Sequence, residues 1–147
     1  MRTSLKISER LHYAFLLMTA LASVHERNIW LNLNQIAEYF RLSQGYLEEI
    51  VAPLRKHKLV KSRRGGKGGY RLAKAPQRID YQSIVRAIEG PTEIMQCESC
   101  FLHLDCITEP VWQEMQNMIA TYLSKKTLRD TLAHPKYSSI AKIFLPS

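Results

Sequence analysis

A chain of 147 residues, 46% apolar and 23% charged, is long enough to bury one real core, so it reads as a soluble globular protein rather than a disordered one. Its net charge of +8 and pI near 9.6 favour a polyanionic partner over cationic substrates, with acidic lipid as the weaker option. No apolar stretch reaches the roughly 18 residues that span a bilayer, and the first residues lack the pattern of a secretory signal, so no membrane is expected and the compartment read is the cytoplasm.

Ile7, Leu11, Ala14, Phe15, Met18, Leu21 and Ala22 fall at helical spacing, and Leu16, Leu17 and Ala20 widen the stripe, which predicts a mostly buried first helix. After a loop over residues 25–32, Ile36, Ala37 and Phe40 mark a short second helix capped by Asn32 or Asn34. Ser43 is suited to cap a third, in which Leu47, Ile50, Val51 and Leu54 face inward and Gln44, Tyr46, Glu48 and Glu49 face out. This is the spacing of a helix-turn-helix, whose second helix enters a major groove while nearby cations such as Arg55 and Lys56 hold phosphates. Glu48 or Glu49 suits a cytosine amino group and Gln44 an adenine. The plainer alternative is that these side chains only solvate an outer face. Pro53 is expected to kink or divide the third helix, leaving residues 43–52 to do the reading.

Lys61 to Leu72 holds four of the six glycines and five of the twenty-one Lys and Arg residues, and reads as a basic β-hairpin. Strands at residues 60–63 and 70–73 flank Gly65, Gly66, Gly68 and Gly69, and the tip presents Arg63, Arg64 and Lys67. Nine Lys or Arg residues lie between Arg55 and Lys74, and no acid occurs from Ile50 to Ile79. That unbroken positive surface suits double-stranded DNA, with a wing arginine entering a minor groove. A nucleotide-phosphate loop is disfavoured because a strand, not a helix, follows the glycines.

Asp80 is placed to cap a fourth helix, carrying Ile84, Val85 and Ile88, that Gly90 and Pro91 end. Cys97, Cys100 and Cys106 then fall within ten residues. An odd number of thiols makes a poor disulfide framework, whereas soft thiolates clustered in a loop suit an iron-sulfur cluster or zinc. For zinc, His103 would complete a compact set of four. Packing of the cysteines as small core residues is the remaining reading. Thr108 is read as the cap of a long helix through Val111, Trp112, Met115, Met118, Ile119, Tyr122 and Leu123, extended by Leu128 and Leu132. A helix of roughly 23 residues that is so apolar needs a partner, either a second copy of the chain or the first helix. The last segment, from Ala133, offers only a possible apolar turn at residues 140–144. No nucleophile, base and oxyanion site is assembled, so catalysis is not expected.

The expected architecture is mainly α with a small β-hairpin. A winged helix-turn-helix domain spans residues 1–92, a cysteine-bearing loop 93–109, a dimerisation helix 110–133 and a tail 134–147. The order of these pieces resembles the IscR/NsrR family of winged-helix, Rrf-type transcription regulators. The resemblance covers Ile7 to Leu132 and rests on Ser-x-x-Tyr-Leu-Glu at Ser43 to Glu48, Leu-Arg-Lys-x-x-Leu-Val at Leu54 to Val60, and Arg-Gly-x-x-Gly-Gly-Tyr at Arg64 to Tyr70. It implies a homodimeric repressor binding an operator, with an iron-sulfur cluster, 2Fe-2S or 4Fe-4S, before the dimer helix to sense cluster supply, iron, nitric oxide or redox state. Cys100 and Cys106 keep the family's ligand spacing and Cys97 lies too near. One ligand is missing. His12 falls where the nitric-oxide sensors place an aspartate ligand, and Glu109 where the cluster-biogenesis regulators place a histidine; His103 is close in sequence. His12 is the expectation, against the plain reading of a partly exposed helix histidine.

Overall fold

The structure is a computed structural model that describes residues 6–102, 105–135 and 139–145. Its helices in chain order are α1 (Glu9–Ser23), α2 (Leu33–Phe40), α3 (Gln44–Lys56), α4 (Tyr81–Glu89), α5 (Glu109–Lys125), α6 (Leu128–Leu132) and α7 (Ile140–Phe144), and strands β1 (Val60–Arg63) and β2 (Gly69–Leu72) lie between α3 and α4. The expected class holds: mainly helical, with a two-stranded antiparallel hairpin.

Helix α1 is the centre of the core. Leu17, Met18 and Leu21 are fully buried on it, and α3, α4, α6, α7 and β2 all pack against it. It starts later than its apolar stripe. The Ser8 hydroxyl accepts from the Leu11 N–H at 3.0 Å and stops the helix there, so Ile7 lies outside and is 68% exposed.

Asn32 caps α2, accepting from the Asn34 N–H at 2.8 Å, while the Gln35 carboxamide oxygen accepts from the Asn32 N–H at 3.3 Å. Arg41, in the left-handed region at φ 55°, ends α2, and two residues later Ser43 caps α3 through the Tyr46 N–H. The short turn leaves α2 and α3 packed as a helix-turn-helix.

Pro53 does not divide α3, which runs unbroken to Lys56. Proline removes the N–H that Glu49 would accept, but Glu49 is exposed to water, and Ile50, Val51 and Leu54 stay buried on the opposite face. Burial of that face on both sides of the proline outweighs one lost hydrogen bond.

The hairpin pairs Val60 with Leu72 through to Arg63 with Gly69. Of its glycines, Gly65 (φ 105°) and Gly69 (φ 145°) use positive φ. A further partner escaped the periodicity. Leu31 exchanges both backbone hydrogen bonds with Tyr70, at 2.9 and 2.8 Å, tying the loop before α2 to β2.

The expected long helix at 110–133 is two helices. After Lys125 the chain extends, the Lys126 carbonyl accepts from the Tyr81 N–H at 2.9 Å, and the Leu128 N–H donates to Ile79 at 3.0 Å. Thr127 and Asp130 then form a capping box that opens α6. Leu128 is thereby fully buried against the core instead of extending a dimer stripe. Helix α5 packs mainly on α4, and none of its 17 residues is buried.

Candidate nucleic-acid interface and thiol loop

Two faces carry the chemistry. The first is built by α3 and the wing. Gln44 and Glu48, one turn apart on the exposed start of α3, are joined by a hydrogen bond from the Gln44 amide to the Glu48 carboxylate at 3.0 Å. A cleft of about 290 Å³ brings these two together with Arg55 from the far end of α3 and Arg63 and Arg64 from the wing. Asn32, read from sequence only as a helix cap, and Ser62 line it too. A neighbouring groove is lined by Arg55, Lys56 and Lys61.

Ser43 is exposed, but its hydroxyl is occupied by the cap. Tyr46 is half-buried, meeting Tyr13 edge-on with ring centroids 6.0 Å apart, and so belongs partly to the packing. Glu49 and Lys67 are exposed outside the cleft. Among the described residues, none of Lys61, Arg63, Arg64 and Lys67 forms an ion pair; the pair found, Arg129 with Glu26, involves none of them. The wing therefore carries uncompensated positive charge beside polar groups of base-reading type.

The second face is the loop before α5. Cys97 opens a short 3-10 turn and is half-buried, Cys100 is exposed, Cys106 is half-buried, and all three are free thiols. Partial burial raises the Cys97 pKa, helped by the negative charge of Glu109 and the neighbouring Cys106 and Cys100. Cys106 moves the other way, because the Thr108 hydroxyl 3.3 Å from its sulfur, with backbone N–H groups at the start of α5, stabilises a thiolate. Thr108 thus occupies the cap position of α5 without capping it. A cleft of about 530 Å³ holds Cys97 and Glu109 together with Glu93 and Gln113.

Three soft thiols and a carboxylate fit an iron-sulfur cluster in donor chemistry. Their placement does not: among the described residues, no three His, Cys, Asp or Glu side chains are gathered to hold a metal ion. His12 is exposed on α1 beside the Tyr13 ring, and within one chain neither it nor Glu109 completes a set with the cysteines. His103 lies outside the described residues.

Residues 7–134 match the family model Rrf2, described as an iron-dependent transcriptional regulator. The chain belongs to the Rrf2 family. CymR of Bacillus subtilis strain 168 is 32% identical over 143 residues, covering 95% of this chain and 99% of the relative. The solved structure of CymR (YrzC), described as the global cysteine regulator of B. subtilis, superposes with a TM-score of 0.74 at 34% identity over 87% of this chain and 96% of that one. IscR of T. potens gives 0.70 at 35% identity over 88% and 87%. These Rrf2 likenesses make the chain a winged-helix transcription regulator that binds DNA, and not an enzyme. No described helix is long and apolar enough to cross a membrane.

Proposed function

We propose that this Rrf2 protein represses transcription as a cytoplasmic homodimer bound to an operator in duplex DNA, and that the Cys97, Cys100 and Cys106 loop is its signal input. The observation that carries DNA reading is the cleft joining Gln44 and Glu48 of α3 to Arg55, Arg63 and Arg64. Glutamine and glutamate offer the hydrogen-bonding groups that match adenine and cytosine edges, and the arginines supply phosphate and minor-groove contacts. The dimer reading rests on α5, where Met118 is 72% and Tyr122 60% exposed with Val111 and Ile119 beside them.

For the signal we propose an iron-sulfur cluster whose binding would draw the three ungathered cysteines together, with His12 of a second subunit, or else Glu109, as the further ligand. When bound, such a cluster supplies a redox-reactive centre. The chain's own contribution is mechanical. The loop runs directly into α5, so any change in how its thiols are held shifts the start of the proposed dimer helix and the spacing of the two reading heads.

A second reading has its own support. The thiols are not gathered, and the likeness to CymR, described as a global cysteine regulator, favours a cluster-free protein whose loop responds as thiols; a zinc-binding form belongs to the same alternative. Iron, acid-labile sulfide and zinc content with a visible spectrum, on protein purified without oxygen, separate the two. Stoichiometric iron and sulfide, lost on substituting any of the three cysteines, support the cluster. Their absence after attempted reconstitution removes it and leaves the thiol reading. Operator binding at fixed salt by the loaded and metal-free forms then tests the coupling, which equal affinities would exclude.

A further inference from the structure

Two of the wing's arginines converge on an aromatic ring that lies outside the wing. Leu31 pairs antiparallel with Tyr70, which places the preceding residue, Trp30, level with Arg71 on β2. Arg71 is paired with Lys61 on β1, and Arg63, two residues on, points to the same side as Lys61. Opposite Arg63 stands Gly69, which has no side chain to block its path across β2. The Arg63 guanidinium accordingly lies over the Trp30 ring, 4.6 Å from its centroid, and that of Arg71 lies 5.4 Å away.

Both arginines are also tied at their edges. Arg63 donates to the Lys67 carbonyl at the hairpin tip. Arg71 donates to the Asn28 side chain at 2.9 Å, and Asn28 itself sits in the left-handed region at φ 55°. A side chain at Gly69 would meet the Leu31 carbonyl oxygen at 2.5 Å, so the close approach that brings Trp30 up to the wing depends on that glycine. Nothing in the length of residues 25–32 signalled this. By sequence Trp30 belongs to a loop, and the wing is a two-stranded element whose arginines face DNA.

We infer that Trp30 is a positioning residue for operator binding: its indole face holds Arg63 and Arg71 so that the wing tip, with Arg64 and Lys67, meets DNA already ordered. The physical reason is entropic. An arginine carries many rotamers and a glycine-rich tip many backbone states, so a free wing loses that freedom on binding, whereas a wing braced through Trp30, Arg63 and the Lys67 carbonyl has lost it before contact. Attraction of a guanidinium to the ring face is the holding force, and it needs an aromatic ring rather than mere apolar bulk.

This inference rests on the DNA-binding reading above, and the test keeps the two apart. The probe is a duplex enriched by the wild-type protein from a random-sequence pool, with Kd measured at fixed salt. Trp30→Leu, which keeps apolar bulk, is expected to weaken binding about tenfold, the sum of two modest cation–ring attractions. Trp30→Phe should recover most of that loss, and Arg63→Ala should cost clearly less in the Trp30→Leu background than in the wild type. Thermal melts of each variant show whether the fold is retained. Equal binding by the Leu and Phe variants, or an unchanged Arg63→Ala cost in both backgrounds, overturns the positioning role while operator binding stands. If the wild-type protein enriches no sequence and binds no duplex, the DNA-binding reading fails and this one with it.

Discussion

At the scale of single residues, the wing separates cations that brace from cations that reach out. Arg63 and Arg71 are engaged by Trp30 and by side-chain or backbone oxygens, whereas Arg64, which lines the cleft facing α3 beside Arg63, lies over no ring among the described residues. Arg64→Ala should therefore weaken operator binding and lower the slope of log K against log salt by about one, measured by titration at several salt concentrations. An unchanged slope would show that Arg64 meets no phosphate; altered sequence preference would assign it to a minor groove. A histidine at the wing base adds a pH dependence. Burial first, then the Arg71 charge, lowers the pKa of His25 below its ordinary 6.5, and its buried Nδ1 has no hydrogen-bond partner among the described residues. The unfolded chain then binds the proton more readily than the folded one. Stability is full above the unfolded pKa and is lost as pH falls through it toward the depressed folded value. Between about pH 7.5 and 5.5 the wild-type Tm should drop more than that of His25→Gln. Parallel acid limbs would remove His25 from the explanation.

At the scale of elements, the division between α5 and α6 changes what several apolar residues do. Read as one helical stripe, Leu128 continues the exposed face of Met118 and Tyr122. In the fold, the extended Lys126 and Thr127 pair with Tyr81 and Asp80, and Leu128 turns into the core against α1. Leu128→Ala is expected to cost about 2–5 kcal/mol of stability by urea denaturation, the range for truncating a fully buried leucine. A loss that disappears once the chain is made monomeric would return Leu128 to an interface between copies. The signal for the break was present in Thr127-x-x-Asp130, a capping box, but it stood inside a run of helix-forming residues and the apolar period outweighed it. Helix α3 carries the opposite lesson. Pro53 marked a break that the buried face of Ile50, Val51 and Leu54 overrides.

At the scale of the molecule, α5 stands out because it is long, amphipathic and unburied, while the body made by α1 to α4 with α6 is closed around its own core. In the proposed dimer, Met118→Glu places a charge on the exposed face of α5 and should convert the protein to monomer in sedimentation velocity without lowering its far-UV helix signal. Affinity for a two-half-site operator should fall about a hundredfold, since the second head no longer binds at high effective concentration. A dimer that survives the substitution would move the interface elsewhere.

Much of the DNA-reading face was legible in the chain itself. Helical spacing, Ser43, Asn32 and Asp80 as caps, and a glycine-rich basic hairpin are local signals, because capping, periodicity and positive φ act over a few neighbouring residues. They determined the helix-turn-helix, the wing and the charge that selects a polyanion. The tertiary structure decided what depends on residues distant in sequence: that Leu31 and Trp30 join the wing, that Leu128 belongs to the core, that Phe144 of the tail packs on Tyr39, and that Cys97 shares a cleft with Glu109. Each of these is fixed by burial and by pairing of backbone groups across the fold, and neither leaves a repeating mark along the chain.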